Sequence, residues 1–174
     1  MAAITAVPRF LDIEYCQSED WFFPTAMAWS LADGRMKVVV IEPDDAWLPD
    51  TEDEPDVDLR YLREQGVPLI ELARALHEDL PDQTVYVDGL DPDEALIERI
   101  FDAVGMDIPF ELAPVNELIT ALDQNSLEDE RQALIFEHGL DPQLPESGVY
   151  VLLLLARQMG VIEGADETDE TDEL

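Results

Sequence analysis

Hydrophobic and polar positions alternate first and turn helical later. Arg9 to Tyr15 (RFLDIEY) places apolar and polar side chains at alternate positions, the period of a β-strand. Ala26 to Leu31 is a second strand candidate. Asp33-Gly34 follows as a hairpin turn signal, and Met36 to Ile41 (MKVVVI) is a third, β-branched strand. Three antiparallel strands are therefore expected to open the fold. The Pro-rich stretch after them is expected to be a loop. From Pro68 the period changes: Leu69, Leu72, Ala73, Leu76 and Leu80 recur at helical spacing until Pro81. Thr84 to Val87 is a short strand. Asp91 as N-cap and Pro92 at the first helical position then open a helix with an apolar stripe of Leu96, Ile97, Ile100, Phe101 and Val104, which Gly105 stops. Phe110 to Leu112 is a fifth strand candidate. Helices are expected over Val115 to Leu122, Leu127 to His138 and Ser147 to Met159. This order predicts an α/β fold, a mixed sheet with helices on its faces.

Length and composition fit one domain: 174 residues, 47% apolar. Charge changes the picture more, since 42 Asp and Glu face 9 Lys and Arg for a net −33, and Lys37 is the one lysine. A simple electrostatic nucleic-acid binder or an anionic-membrane binder carries the opposite sign. Glu42 to Asp58 holds nine acids and no base; Glu163 to Leu174 holds seven, and is expected to be a disordered acidic tail after a domain spanning 1–162. Even without both, 26 acids face 9 bases. Adaptation to concentrated salt explains this, as does a functional acidic surface such as a nucleic-acid mimic. One cysteine, Cys16, excludes an internal disulfide. No apolar run is long enough for a membrane span, and a cytoplasmic setting is expected.

Candidate chemistry centres on Asp12 and Glu14. Residues two apart on a strand share a face, so Phe10, Asp12 and Glu14 point one way and Leu11 and Ile13 the other. Two carboxylates inside an apolar strand repel each other and lose hydration; a hard divalent cation removes that cost. A strand with one solvated face is the plain alternative. Trp21 and Phe22 are candidates for stacking on bases, whereas Trp29 is expected in the core. His77 and His138 are expected as helix-surface residues, His138 near a helix C-terminus.

The ordered motifs resemble the DnaQ-like, DEDD-type 3′–5′ exonucleases of the ribonuclease H-like fold, and among them a small bacterial subgroup of exonuclease-like proteins. Phe10-Leu11-Asp12-Ile13-Glu14 is similar to the first motif of that family. Pro24, Asp33-Gly34, Ile41-Glu42-Pro43 and Trp47 are similar to the next stretch, and Gly66-Val67-Pro68 to the approach to the second motif. Thr84 to Gly89 with Asp93-Glu94-Ala95-Leu96-Ile97 looks like the second motif itself. The resemblance implies catalytic and metal-binding roles for Asp12, Glu14 and Asp93, with Asp88 and Asp91 as lesser candidates for the third acid. It implies Mg²⁺ or Mn²⁺ as cofactor, a single-stranded DNA or RNA 3′ end as partner, and a homodimer. The third motif departs from the pattern. Gln143 falls where the His-containing branch has its histidine and Gly148 where it has an aspartate, with Glu146 a replacement only if the backbone shifts. Tyr150 is followed by Leu154, so the tyrosine variant is absent too. Gln cannot act as a general base and Gly offers no carboxylate. A metal-dependent exonuclease with weakened or lost activity is therefore expected; the alternative is a non-catalytic binding module for a protein or nucleotide end.

Overall fold

A computed structural model describes residues 7–18, 22–48 and 57–162. Alternating sequence in the first part becomes three antiparallel strands, β1 (Arg9–Gln17), β2 (Phe22–Ser30) and β3 (Met36–Val40). The β2–β3 connection turns at Asp33-Gly34 as expected. Gly34 takes φ +87°, open to glycine at little cost, and its N–H donates to Leu31 O at 2.9 Å. Strands β4 (Thr84–Val87) and β5 (Glu111–Pro114) then add parallel to β1, giving the order β3-β2-β1-β4-β5.

Helices cover both faces. Helix α2 (Leu69–Asp79) and helix α3 (Leu90–Val104) bury the stripes expected of them, Leu72, Ala73 and Leu76, and Leu96, Ile97, Ile100 and Phe101, against Leu11, Ile13, Met27 and Trp29 of the sheet. Asp91 interrupts α3 with extended backbone (φ −99°, ψ 126°), so the regular helix runs from Pro92, and Gly105 caps it in the left-handed region at φ +67°. On the opposite face lie α4 (Gln124–Glu137) and α5 (Pro145–Gln158). Val149, Val151, Leu152, Leu153 and Leu155 of α5 pack with Leu127 and Leu134 of α4 and with Phe10 and Ala28 of the sheet. β1 alternates as expected: Leu11 and Ile13 enter the α2–α3 layer, whereas Phe10 enters the α4–α5 layer.

Two expectations need correction, and one helix was not anticipated. The chain after the acidic stretch forms a short helix, α1 (Leu59–Gln65), capped by Asp58, whose side chain accepts from Tyr61 N at 3.1 Å. It buries only Leu62, so no apolar stripe announces it. The helix expected over Val115 to Leu122 is a single 3-10 turn, Val115–Glu117. Val115 and Ile119 are buried at helical spacing, but the segment is too short to hold a helix before Asp123 caps α4 through Ser126 N. The second strand begins at Phe22, well before Ala26. Trp21 and the expected acidic tail, 163–174, lie outside the described residues.

Candidate functional site

A cleft of about 210 Å³ opens where β1 and β4 part. Their pairing holds only Arg9 to Val85 and Phe10 to Tyr86; beyond it the strands separate, and the residues after each half of the ladder border the gap. Crevices at the carboxyl ends of parallel strands, where connections leave in opposite directions, are the usual binding places of open α/β sheets. Asp12 and Glu14 continue β1 into the gap, and Asp88 follows β4. Asp91, Pro92 and Asp93 approach from the start of α3, Arg131 from α4, and Ser147 and Gly148 from α5. Across the β1–β2 ladder, Asp12 and Glu14 face Ala28 and Ala26, and the register shifts between Glu14 and Tyr15. Alanines opposite the acids leave room on that face, and a register shift re-aims a side chain at the end of a strand.

The three acids singled out from the sequence thus line one cleft. Asp93 is the most enclosed, 7% exposed. Burial pushes the Asp12 carboxyl up to about 8, and the charges of Asp93 and then Glu14 push the same way; Arg131 opposes them. Burial raises Glu14 to about 7, helped by Asp141 and Glu146. Asp93 also reaches about 7, through burial and then the charges of Asp88, Glu14 and Asp91. Asp88 is raised by burial, with Arg131 pulling it back. These carboxylates are short of positive charge.

Hard oxygen donors of this kind suit Mg²⁺ or Mn²⁺. Among the described residues no three Asp, Glu, His or Cys side chains are gathered into a ready cage. Asp12, Glu14 and Asp93 line the cleft without forming such a cage.

The third-motif positions fall apart in space. Gly148 lies directly against Asp12: a Cβ there would overlap the carboxylate, about 2.7 Å from its Cγ. Gln143 is exposed and outside the cleft lining, its backbone N–H donating to Asp141 Oδ1 at 2.9 Å. Glu146 is close enough to raise Glu14 electrostatically, yet it is not among the lining residues. His138 caps α4 and meets Tyr150 edge-on, with ring centroids 6.0 Å apart, and His77 Nε2 is 2.8 Å from Asp107 O; neither lines the cleft. Trp29 is fully buried and donates from Nε1 to Asp79 Oδ2 at 2.9 Å, a core residue as expected. Phe22 packs on Tyr15 and under the Arg99 guanidinium. Arg131 and Ser147 join the cleft without having been expected there. Arg131 stands four residues after Leu127 and three before Leu134, both buried, so it occupies the inward stripe of α4, which is the signal that marks it.

Comparison with known proteins supports the fold and nothing finer. No protein-family model matches the sequence, and no curated protein matches it. Among solved structures, E. coli Exonuclease I in complex with a dA16 oligonucleotide is similar at TM-score 0.64 and 14% identity, over 89% of this chain and 41% of that one. A chain from the structure of the yeast NOT1 MIF4G domain co-crystallized with CAF1 is similar at TM-score 0.59 and 11% identity, over 88% of this chain and 80% of that one. The fold is ribonuclease H-like. No described helix is long and apolar enough to cross a membrane.

Proposed function

We infer that the protein is a divalent-metal-dependent 3′–5′ exonuclease-like phosphodiester hydrolase acting slowly on single-stranded nucleic-acid ends. One observation carries this reading: Asp12 and Glu14 from β1 and Asp93 from α3 share one electron-rich cleft at the carboxyl ends of parallel strands, on a fold similar to that of an exonuclease crystallised with an oligonucleotide. Asp12 and Glu14 would hold the cation through their carboxylate oxygens, and Asp93 would orient it or a water on it. A divalent ion so held supplies Lewis-acid stabilisation of phosphate charge and a more acidic water. The cleft is smaller than a typical ligand pocket, so a phosphate enters it and the base stays outside. Slow turnover is the consequence of the third motif. Gln143 is outside the cleft and cannot take a proton, and a lost general base costs about 10²–10⁴ in rate.

Millimolar Mn²⁺ or Mg²⁺ is expected to raise the melting temperature, and Asp12→Ala to abolish the rise. A 5′-labelled single strand is expected to shorten slowly from its 3′ end, faster in molar KCl. A melting curve indifferent to both ions would remove the metal reading. Metal binding with no turnover above the Asp12→Ala control would leave the non-catalytic binding module.

A further inference from the structure

The cleft's own charge does not attract a phosphate. Five carboxylates and one guanidinium line it, and a phosphate is repelled more than it is drawn in. A nucleic-acid end that binds here therefore needs attraction through its uncharged part, the base, which stays outside a space of about 210 Å³. One aromatic residue borders the cleft, Tyr15. Buried side chains of β1 fall at Leu11, Ile13 and then Cys16, so alternation breaks where the β1–β2 register shifts, between Glu14 and Tyr15. Unbroken alternation would bury Tyr15 with Leu11 and Ile13; instead it is 39% exposed. Its ring is nevertheless held. Its centroid lies 5.9 Å from that of Phe22, edge-on at 66°. Phe22 is braced in turn by Arg99, whose guanidinium carbon is 6.0 Å from the Phe22 ring and 5.9 Å from the Trp47 ring.

Resting on the nucleic-acid-end reading above, we propose that Tyr15 is the platform on which the 3′-terminal base of a single strand stacks while its phosphate enters the cleft. Stacking on an aromatic ring tolerates any sequence, because every base has a π face. It is also indifferent to the sign of the cleft's charge. A ring already placed by Phe22 loses little freedom on binding, which keeps the cost of ordering low. Tyr15 thus supplies the attraction that the carboxylates withhold, and makes the site selective for an end that carries its base.

A short 5′-labelled strand whose last linkage is a phosphorothioate, read by fluorescence anisotropy with the full-length chain in molar KCl and millimolar Mg²⁺, tests this against the same strand lacking only its 3′-terminal base. Wild type is expected to hold the complete strand about five- to a hundredfold more tightly. Tyr15→Phe keeps the ring and is expected to keep that preference. Tyr15→Leu, apolar without a π face, is expected to bind both strands alike. A residue that only packs would weaken both strands equally and leave their ratio unchanged. Equal binding of the two strands by wild type, an unchanged ratio in Tyr15→Leu, or a lost ratio in Tyr15→Phe would each overturn the platform and leave the nuclease reading standing. Neither strand bound by wild type would overturn both. Should Tyr15→Leu lose its native circular dichroism spectrum, Tyr15→Met takes its place with the same expected and overturning results.

Discussion

Asp12, Glu14 and Asp93 give the cleft its pH response. Their folded-state values, about 8, 7 and 7, lie above the ordinary carboxylate range. The folded protein therefore binds these protons more tightly than the unfolded chain does. Their contribution to stability is full below about pH 4 and is lost as pH rises through about 7 to 8. In EDTA, calorimetry from pH 5 to 8 is expected to show wild type losing stability more steeply than Asp12→Asn. At pH 8 the variant is expected to be the more stable by roughly 2 kcal/mol. An unchanged pH profile in the variant would show that Asp12 is not the strained group. The shared face of Asp12 and Glu14 was legible from strand alternation, and Asp93 from its motif. Arg131 was missed although its stripe position was readable, because α4 carries Glu128, Asp129 and Glu130 beside it and looks like a solvated helix.

Between elements, the most consequential polar junction ties α2 to the β2–β3 hairpin. Asp79 ends α2, where the helix dipole disfavours a negative charge. Two partners offset this: Lys37 Nζ at 2.8 Å and the buried Trp29 Nε1–H at 2.9 Å. The chain's one lysine thus fastens a helix to the sheet. Asp79→Ala leaves the indole N–H unpaired inside the core and is expected to cost about 2 kcal/mol in urea unfolding. Asp79→Asn, which still accepts from the indole, is expected to cost less. The strong stripes of α2 and α3 were legible because one face of each is buried. α1 was not, because its single buried residue carries no period. The Val115 segment misled because apolar spacing reports burial, and a 3-10 turn followed by irregular chain can bury the same residues.

For the whole molecule, the net charge of −33 dominates. The ion pairs Arg35–Asp33 and Arg60–Glu64 are largely exposed, and pairs of that kind contribute little. Salt therefore removes more repulsion than attraction. The melting temperature is expected to climb as KCl rises toward 1 M, where the Debye length falls to about 3 Å. A flat or falling response in a KCl series would mean that the surface acids do not strain the fold. Sheet topology sorts the rest: β1, in the centre, sends Leu11 and Ile13 to one helical layer and Phe10 to the other, so the acids beyond Phe10 emerge at the mouth between β1 and β4.

Local pattern alone determined the strand faces, the Asp33-Gly34 turn, the stop at Gly105 and the stripes of α2 and α3, because each depends on a period or a backbone preference spanning a few residues. Tertiary structure alone decided two things: the β1–β4 ladder ends at Phe10 and Tyr86, and the α5 backbone at Gly148 abuts Asp12. Those depend on which strands become neighbours and how closely a helix approaches them. Residues far apart in the chain set both, and no short-range periodicity records them.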